Sequence, residues 1–181
     1  MAYEIVNSRR LAHGKIMDLY QDALTMPNGK TAMREYVVKG NAAAVVPLTA
    51  DGRVLMVRQY RHPLRQMLLE IPAGVVEPGE EPAVCARREL EEETGKKCGR
   101  LDFLCTMYVS AGVSNEAISV YVARELSPGT QHLDPDEFLT VEEYALEELI
   151  ERIFAGEITD GKTIAGILAC RELLRREAGQ A

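Results

Sequence analysis

Three glutamates near the middle of the chain, Glu89, Glu92 and Glu93, are the residues best suited to chemistry. They belong to a segment rich in Ala, Arg, Leu and Glu, a composition that favours a helix. At about 100° per residue, a helix places all three within an arc of about 100°, whereas Glu91 points nearly opposite to Glu89. Carboxylates on one face repel one another, so they form either a solvated surface or a site for a divalent cation such as Mg²⁺ or Mn²⁺.

The segment ahead of this helix is acidic as well, which favours the cation. Leu69–Gly74 leads into a loop rich in glycine and proline that contains Glu77, Glu80 and Glu81. Residues 74–96 together hold 7 glutamates against 3 basic residues. An acidic loop folded beside an acidic helix concentrates negative charge, and a hard cation that also binds a phosphorylated substrate would offset it.

The spacing of these residues resembles a known signature, the Nudix box of the Nudix hydrolases. The matching residues are separated by five, seven, one and one positions: Gly74, Glu80, Arg88-Glu89-Leu90, Glu92-Glu93 and Gly95. Lys96 departs from the pattern, because the family usually has an aliphatic residue there. Further segments resemble the ADP-ribose pyrophosphatase branch of the family, namely Pro27–Lys30, Val57–Arg61, Glu70–Gly74 and the acidic residues 134–137.

The resemblance implies a metal site on this helix. Glu89, Glu92 and Glu93, with the backbone carbonyl of Ala73, would bind about two or three Mg²⁺, with Mn²⁺ as the alternative metal. Glu93 would also be catalytic. Arg88 would pair with Glu92 or reach the loop glutamates, holding the loop against the helix. The residues expected to support the site are Gly74, Glu80, Arg88 and Gly95.

Other parts of the chain would supply a general base and the substrate contacts. The resemblance places the base in the downstream acidic loop, with Glu137 as the best aligned residue and Asp136 as the alternative. Arg34 and Arg61 would bind a diphosphate through their guanidinium groups, unless they form surface ion pairs. The remaining expected substrate contacts are Tyr36, stacking on a nucleobase, and Glu116, accepting hydrogen bonds from a ribose.

The implied activity is that of a Nudix pyrophosphatase, namely Mg²⁺-dependent hydrolysis of the diphosphate bond of ADP-ribose to AMP and ribose 5-phosphate. One departure leaves a second substrate open, since Ser110-Ala111-Gly112 stands where relatives that prefer ADP-ribose have Ser-Pro-Gly. The alternative is another nucleoside diphosphate sugar such as GDP-mannose. A non-catalytic nucleotide-sugar sensor is a third interpretation, which the complete set of box glutamates argues against.

The elements that must position these residues follow from periodicity and turn signals. A helix is predicted over 82–94, ended by Gly95. A second helix is predicted to begin at Thr140, where Thr140 and Glu143 form a capping-box pattern, and a third to cover 162–177. The predicted strands are 16–24, 31–38, 42–48, 54–59, 101–109 and 116–123, with tight reversals at Met26–Gly29 and Ala50–Gly52.

Strands interrupted by single helices predict an α+β fold. We expect a Nudix-like mixed β-sheet sandwiched between helices (α/β/α), with a small N-terminal β-rich extension. The expected domains are residues 1–40, the extension, and residues 41–181, the Nudix hydrolase domain. A short β-rich extension has little core of its own and exposes strand edges, so we predict that it mediates a homodimer.

Composition excludes several classes of protein. The chain has 181 residues and a net charge of −7 without a basic run, so it lacks the footprint of a nucleic-acid binder. The charge is uneven: residues 1–73 hold 10 basic and 6 acidic residues, which leaves a small phosphorylated ligand open.

No apolar stretch approaches the roughly 20 residues of a membrane span, and the N-terminus does not resemble a secretory signal, so we expect a cytoplasmic protein. The spacing of its cysteines fits reduced thiols: Cys85, Cys98, Cys105 and Cys170.

Overall fold

The computed structural model describes residues 2–179, which form two compact units. The N-terminal unit comprises Met1–Asn41 and Tyr108–Ala117, and the main unit comprises Ala42–Met107 and Ile118–Ala181. The described part of the chain contains ten strands and three helices. In chain order these are β1 (Glu4–His13), β2 (Met17–Thr25), β3 (Thr31–Lys39), β4 (Ala42–Pro47), β5 (Arg53–Arg61), β6 (Gln66–Glu70), β7 (Ala73–Val75), α1 (Pro82–Thr94), β8 (Lys96–Tyr108), β9 (Ala117–Pro128), β10 (Leu139–Ala145), α2 (Leu146–Phe154) and α3 (Gly161–Ala178).

A three-stranded antiparallel sheet of order β1-β2-β3 forms most of the N-terminal unit. A hairpin joins β2 and β3 at the predicted reversal. Gly29 has a φ of 76°, which glycine adopts without steric cost, and its N–H donates to the Met26 carbonyl at 2.8 Å. Every residue of β1 is exposed, so neither of its faces has to be apolar. Its sequence therefore shows no regular apolar alternation from which the ends of a strand could be predicted.

The main unit is built on a mixed sheet of order β7-β4-β9-β8, in which β4 is parallel to β9 and antiparallel to β7. A second, antiparallel sheet has the order β10-β5-β6. All six residues of β4 are buried. Burial on both faces is typical of a strand that is covered on each side by helices.

Strand β4 separates two hydrophobic clusters, because successive residues of a strand point to opposite faces. Val45 belongs to the cluster that contains Leu90 of α1. Its neighbour Val46 belongs to the cluster that contains Leu149 of α2 and Ile167 of α3. Helices therefore cover both faces of the mixed sheet, in agreement with the predicted α+β architecture.

Helix α1 begins and ends where the sequence predicts. Pro82 occupies its first turn, where a missing N–H costs nothing. Gly95 ends it in the left-handed conformation, with a φ of 65°, and donates its N–H to the Glu91 carbonyl at 2.8 Å. Helix α3 is one residue longer at each end than predicted and is capped by Asp160. None of the helices within residues 2–179 is long and apolar enough to cross a membrane.

The second helix begins later than predicted. Strand β10 occupies the expected start and pairs with β5, placing Thr140 opposite Arg58, and α2 begins at Leu146. The predicted capping box is therefore wrong: the Glu143 carboxylate accepts a hydrogen bond from Arg53 Nε at 2.7 Å. A Thr-x-x-Glu pattern also fits a strand, and pairing with β5 decides between the two. The sequence does not predict the short strands β6 and β7.

Candidate active site

Helix α1 holds its glutamates against strand β7. Glu93 Oε2 accepts a hydrogen bond from the Ala73 N–H at 3.2 Å. A Cβ atom on Gly74 would lie 1.9 Å from Oε1 of Glu89, so only glycine leaves room for that carboxylate. Packing of α1 onto the mixed sheet leaves Glu89 9% exposed and Glu93 1% exposed. The side of the helix identified from the periodicity thus lies mostly out of solvent.

The charge of these buried carboxylates is only partly compensated. Oε1 of Glu93 is buried and has no hydrogen-bond partner within residues 2–179. Burial, together with the negative charges of Glu137 and Glu89, raises the pKa of Glu93 to about 9. Burial also raises the pKa of Glu89. An unpartnered oxygen beside further carboxylates suits a hard divalent cation, so the donor set fits Mg²⁺ or Mn²⁺.

Arg88 lies among the same carboxylates. Its Nη1 donates to Glu89 Oε1 at 2.6 Å and to Glu92 Oε2 at 2.8 Å. No three His, Cys, Asp or Glu side chains in the described part of the chain are gathered closely enough to hold a metal as they stand. A cation bound by Glu89 and Glu92 would therefore compete with this guanidinium for their carboxylates.

Arg88 also ties the acidic loop to the helix. Its Nε donates to Glu80 Oε1 at 3.0 Å, and its Nη2 donates to the Val75 carbonyl at 3.2 Å. The second oxygen of Glu80 accepts the Glu77 N–H at 2.9 Å. The hydrogen bond from Arg88 is the main reason that the pKa of Glu80 is lowered. Past the helix, the Gly95 carbonyl accepts the Gly129 N–H at 2.8 Å, which anchors the start of the downstream acidic loop.

Two adjoining clefts of about 300 and 360 Å³ open beside these residues. Both are lined by Asp134 and Glu137, whereas Asp136 lines only the larger one. The smaller cleft is lined by β7, the box residues and the downstream loop: Ala73, Gly74, Val75, Glu77, Arg88, Glu89, Glu92, His132, Asp134 and Glu137. The larger is lined by Gln59, Tyr60, Arg61, Asp134, Asp136, Glu137 and Phe138.

Arg61 reaches the larger cleft from the end of β5. Its Nε and Nη2 donate to the two carboxylate oxygens of Glu70 at 2.7 and 2.6 Å. This fork raises the pKa of Arg61, so the guanidinium keeps its charge. A charged guanidinium beside the carboxylate cleft can bind an anion such as a diphosphate.

The other three predicted substrate contacts, Arg34, Tyr36 and Glu116, lie in the N-terminal unit. The Arg34 side chain is exposed and donates to the Met33 carbonyl at 2.9 Å. Tyr36 stacks on Tyr20 with ring centroids 5.8 Å apart. Glu116 is buried and pairs with Lys39 Nζ at 2.7 Å, so hydrogen bonding to a ribose would compete with this ion pair.

One family model, that of the NUDIX domain, matches residues 38–166, the part of the chain that holds the acidic loop, helix α1 and both clefts. The chain belongs to the NUDIX family. The family predicted from the box residues is confirmed. The NUDIX match includes both clefts and all the box residues, and it leaves out most of the N-terminal sheet.

Relatives of this NUDIX protein are similar over most of its length. It is 40% identical over 176 residues to an ADP-ribose pyrophosphatase of Bacillus subtilis (strain 168), covering 95% of each chain. It is 38% identical to a methanol dehydrogenase activator of Bacillus methanolicus, again covering 95% of each. A GDP-mannose pyrophosphatase of Salmonella paratyphi B is 32% identical, covering 78% of this chain and 80% of that one.

A solved structure has the same fold. The crystal structure of an ADP compounds hydrolase superposes with a TM-score of 0.87 and 22% identity, covering 98% of this chain and 96% of that one. The predicted fold class is therefore confirmed.

Four buried or half-buried residues of this NUDIX protein were not predicted from the sequence to take part in the site. They form a hydrogen-bonded series that leads to Arg61 rather than to the box, and they are Glu70, Asp160, Lys162 and Thr163. The available signal was a run of polar residues at the start of α3, where Asp160 and Thr163 have the spacing of an N-cap. The sequence offers no sign that Glu70 meets them, since Glu70 and Lys162 are 92 positions apart.

Proposed function

We propose that this chain hydrolyses the diphosphate bond of ADP-ribose in the presence of Mg²⁺, releasing AMP and ribose 5-phosphate. Family membership and close relatives make it a Nudix pyrophosphatase for ADP-ribose or a related compound. The observation that carries the finer proposal is the buried Oε1 of Glu93, which has no hydrogen-bond partner among residues 2–179, next to the cleft that Glu89 and Glu137 line. This arrangement suits a cation that bridges the protein and an anionic substrate.

The proposed metal ligands are Glu89, Glu92, Glu93 and the backbone carbonyl of Ala73, for about two or three Mg²⁺, or Mn²⁺ in its place. A bound cation would neutralise the diphosphate and lower the pKa of a water molecule. Arg88 and Glu80 support these ligands by holding the loop on the helix. Gly74 and Gly95 support them as well, one by leaving room for a carboxylate and the other by ending the helix.

Glu137 is the proposed general base. Hydrolysis joins a water oxygen to one phosphorus as the bridging oxygen leaves with the other phosphoryl group, and the water loses a proton. Glu137 lines both clefts and lies near enough for its charge to raise the pKa of Glu93, so it is well placed to accept that proton. Asp136 is the less favoured alternative, because it lines only the larger cleft.

The proposed substrate contacts are Arg61, Arg34, Tyr36 and Glu116. Arg61 would bind the diphosphate from the end of β5, and Arg34 would do so from β3. Tyr36, whose ring stacks on Tyr20, would stack on the nucleobase. Glu116 would accept hydrogen bonds from the ribose.

GDP-mannose is the second candidate substrate, favoured by the loop sequence Ser110-Ala111-Gly112, which lacks the proline of relatives that prefer ADP-ribose. A sensor without turnover is a weaker alternative, because the chain keeps every box glutamate. We propose that the protein acts in the cytoplasm on a small molecule, without a nucleic-acid or membrane partner. It also forms a homodimer through the N-terminal extension, whose exposed Ile5, Val6 and Leu11 would be buried.

Release of AMP from ADP-ribose, measured with Mg²⁺ and with EDTA, tests the proposal. Glu93→Gln should lower kcat about a hundredfold or more. Glu91→Gln is the matched control, because Glu91 pairs with Lys97 at 3.3 Å and takes no part in the clefts. Absence of metal-dependent turnover would contradict the proposed activity. A panel of nucleoside diphosphate sugars at equal concentration separates ADP-ribose from GDP-mannose.

A further inference from the structure

A completely buried carboxylate stands behind Arg61. Glu70 is 0% exposed, and it accepts hydrogen bonds from Arg61 and from Lys162 Nζ. Lys162 is 9% exposed, and its Nζ lies 3.0 Å from Oδ2 of Asp160. Buried charges are costly to leave unpaired, so each member of this series depends on its neighbours.

The series begins at the first turn of α3. Asp160 Oδ2 accepts the Thr163 N–H at 2.9 Å and the Thr163 hydroxyl at 2.6 Å. The positive end of the helix dipole further stabilises a carboxylate at this position. Thr163 Oγ1 in turn accepts the Ile71 N–H at 3.0 Å, which fixes the chain next to Glu70. Helix α3 therefore holds Asp160, and Asp160 holds Lys162.

The charges alternate from the helix to the cleft: Asp160, Lys162, Glu70 and Arg61. Lys162 satisfies one part of the Glu70 charge, so Arg61 is not fully neutralised by its carboxylate partner. Glu70 engages Nε and Nη2 of Arg61, and the Nη1 group takes no part in that fork. The Arg61 side chain is 38% exposed and lines the cleft with Glu137.

We propose that Lys162 and Asp160 are positioning residues for Arg61, acting through Glu70. They set the orientation and charge with which the guanidinium meets the diphosphate of the substrate. This inference rests on the proposed function for the identity of the ligand, but the orientation of Arg61 can be measured without turnover.

The single and double variants differ in the net charge that they leave around Arg61. The negative charge of Asp160 already raises the pKa of Arg61. When Lys162 alone is removed, this charge loses its partner, and we expect it to draw the Arg61 guanidinium away from the cleft. Removing the charge of Asp160 as well leaves the neutral pair of Glu70 and Arg61. The double variant should therefore resemble the wild type more than Lys162→Met does. If the network served stability alone, KM would equal that of the wild type in every variant that remains folded.

The kinetic test compares Lys162→Met, Asp160→Asn and the double variant with ADP-ribose as substrate. Asparagine remains a good N-cap, so Asp160→Asn removes charge while keeping the helix start. We expect Lys162→Met to raise KM about tenfold, with kcat lowered less than about threefold, because charge-assisted hydrogen bonds contribute at this scale. The double variant should return to within about threefold of the wild-type KM. In an Arg61→Ala background, Lys162→Met should leave KM unchanged.

Glu177→Gln is the control, because it breaks another forked arginine pair of α3, to Arg124 at 2.8 and 3.0 Å, away from both clefts. Its KM should equal that of the wild type. If Lys162→Met raises KM by the same factor with and without Arg61, the effect does not pass through Arg61 and the inference is wrong.

A second measurement is independent of the substrate. In protein with ¹⁵N-labelled arginine, the Arg61 Nε–H should exchange slowly with water, because it donates to a buried carboxylate. Lys162→Met should shift this signal and speed its exchange, and the double variant should restore both. An unchanged signal in Lys162→Met overturns the inference whatever happens to turnover. A wild type that hydrolyses no nucleoside diphosphate sugar but shows these changes refutes the proposed function and leaves the positioning role standing.

Discussion

Replacing Gly74 with alanine should move Glu89, a proposed metal ligand, without disturbing the backbone. The added Cβ would lie 1.9 Å from Oε1, 2.1 Å from Cδ and 2.5 Å from Oε2 of Glu89. Ordinary contact begins at 3.4 Å, so the carboxylate must retreat by about 1.5 Å. Gly74 does not have a positive φ, so the backbone itself can accept alanine.

A retreat of about 1.5 Å is large compared with the spread of Mg²⁺–oxygen distances, which lie near 2.0–2.1 Å. The displaced Glu89 carboxylate would no longer lie where the proposed ligand is needed. Disturbing partners outside the ligand set typically weakens metal binding about 10- to 100-fold, so we expect at least a tenfold rise in the Mg²⁺ concentration for half-maximal activity. The cost to the free energy of unfolding should be about 1–3 kcal/mol, as for other overpacked sites.

The assay is a Mg²⁺ titration of AMP release, accompanied by urea unfolding of the metal-free protein. Gly179→Ala is the matched control, since its Cβ would meet nothing closer than 3.5 Å. If Gly74→Ala has the wild-type Mg²⁺ dependence and kcat, the position of the Glu89 carboxylate does not matter to metal binding. The assignment of that residue as a ligand would then be wrong.

Three further predictions concern assembly, thiols and pH. Sedimentation at micromolar concentration should show a dimer, and a single species near 20.1 kDa would contradict it. Burial raises the pKa of Cys85 to about 12 and that of Cys170 to about 11. A thiol reagent at pH 8 should therefore modify both cysteines only when the protein unfolds. Rapid modification of either one would show that its burial is incomplete. Burial raises the pKa of Asp160, but the Lys162 charge and the hydrogen bonds from Thr163 outweigh it and lower the pKa overall. Because the folded-state pKa is the lower one, the stability that Asp160 contributes is complete above its unfolded pKa and is lost as the pH falls through the folded value. Urea unfolding should therefore separate the wild type from Asp160→Asn at pH 7, with a smaller difference at pH 3, and a difference independent of pH would count against the charge of Asp160.

Local signals were sufficient to predict helix α1 and its acidic face. Pro82 and Gly95 mark its two ends, and helical periodicity alone groups Glu89 with Glu92 and Glu93. Both kinds of signal act within one or two turns of chain, so they can be seen in sequence.

Features decided by distant partners were not predicted, or were predicted wrongly. Thr140 carries a helix-start pattern, yet it lies in a strand because β5, more than 80 positions earlier, pairs with it. Glu70 belongs to a segment that resembles the family, but that resemblance does not reveal its contact with Lys162, 92 positions later. Such contacts are set by how sheets and helices assemble, which a single sequence does not display.

Helix α1 uses one face for the core and another for its carboxylates, and this constrains how the chain length can vary. Inserting one residue between Ala86 and Leu90 would rotate the rest of the helix by about 100°. Leu90 and the glutamates would then turn together away from their places, and a rotation of the helix that returned them would remove Cys85 and Ala86 from the core cluster that they share with Leu90. Additions and deletions should thus be poorly tolerated between Ala86 and Leu90, so the spacing between the core residues of α1 and its glutamates is fixed.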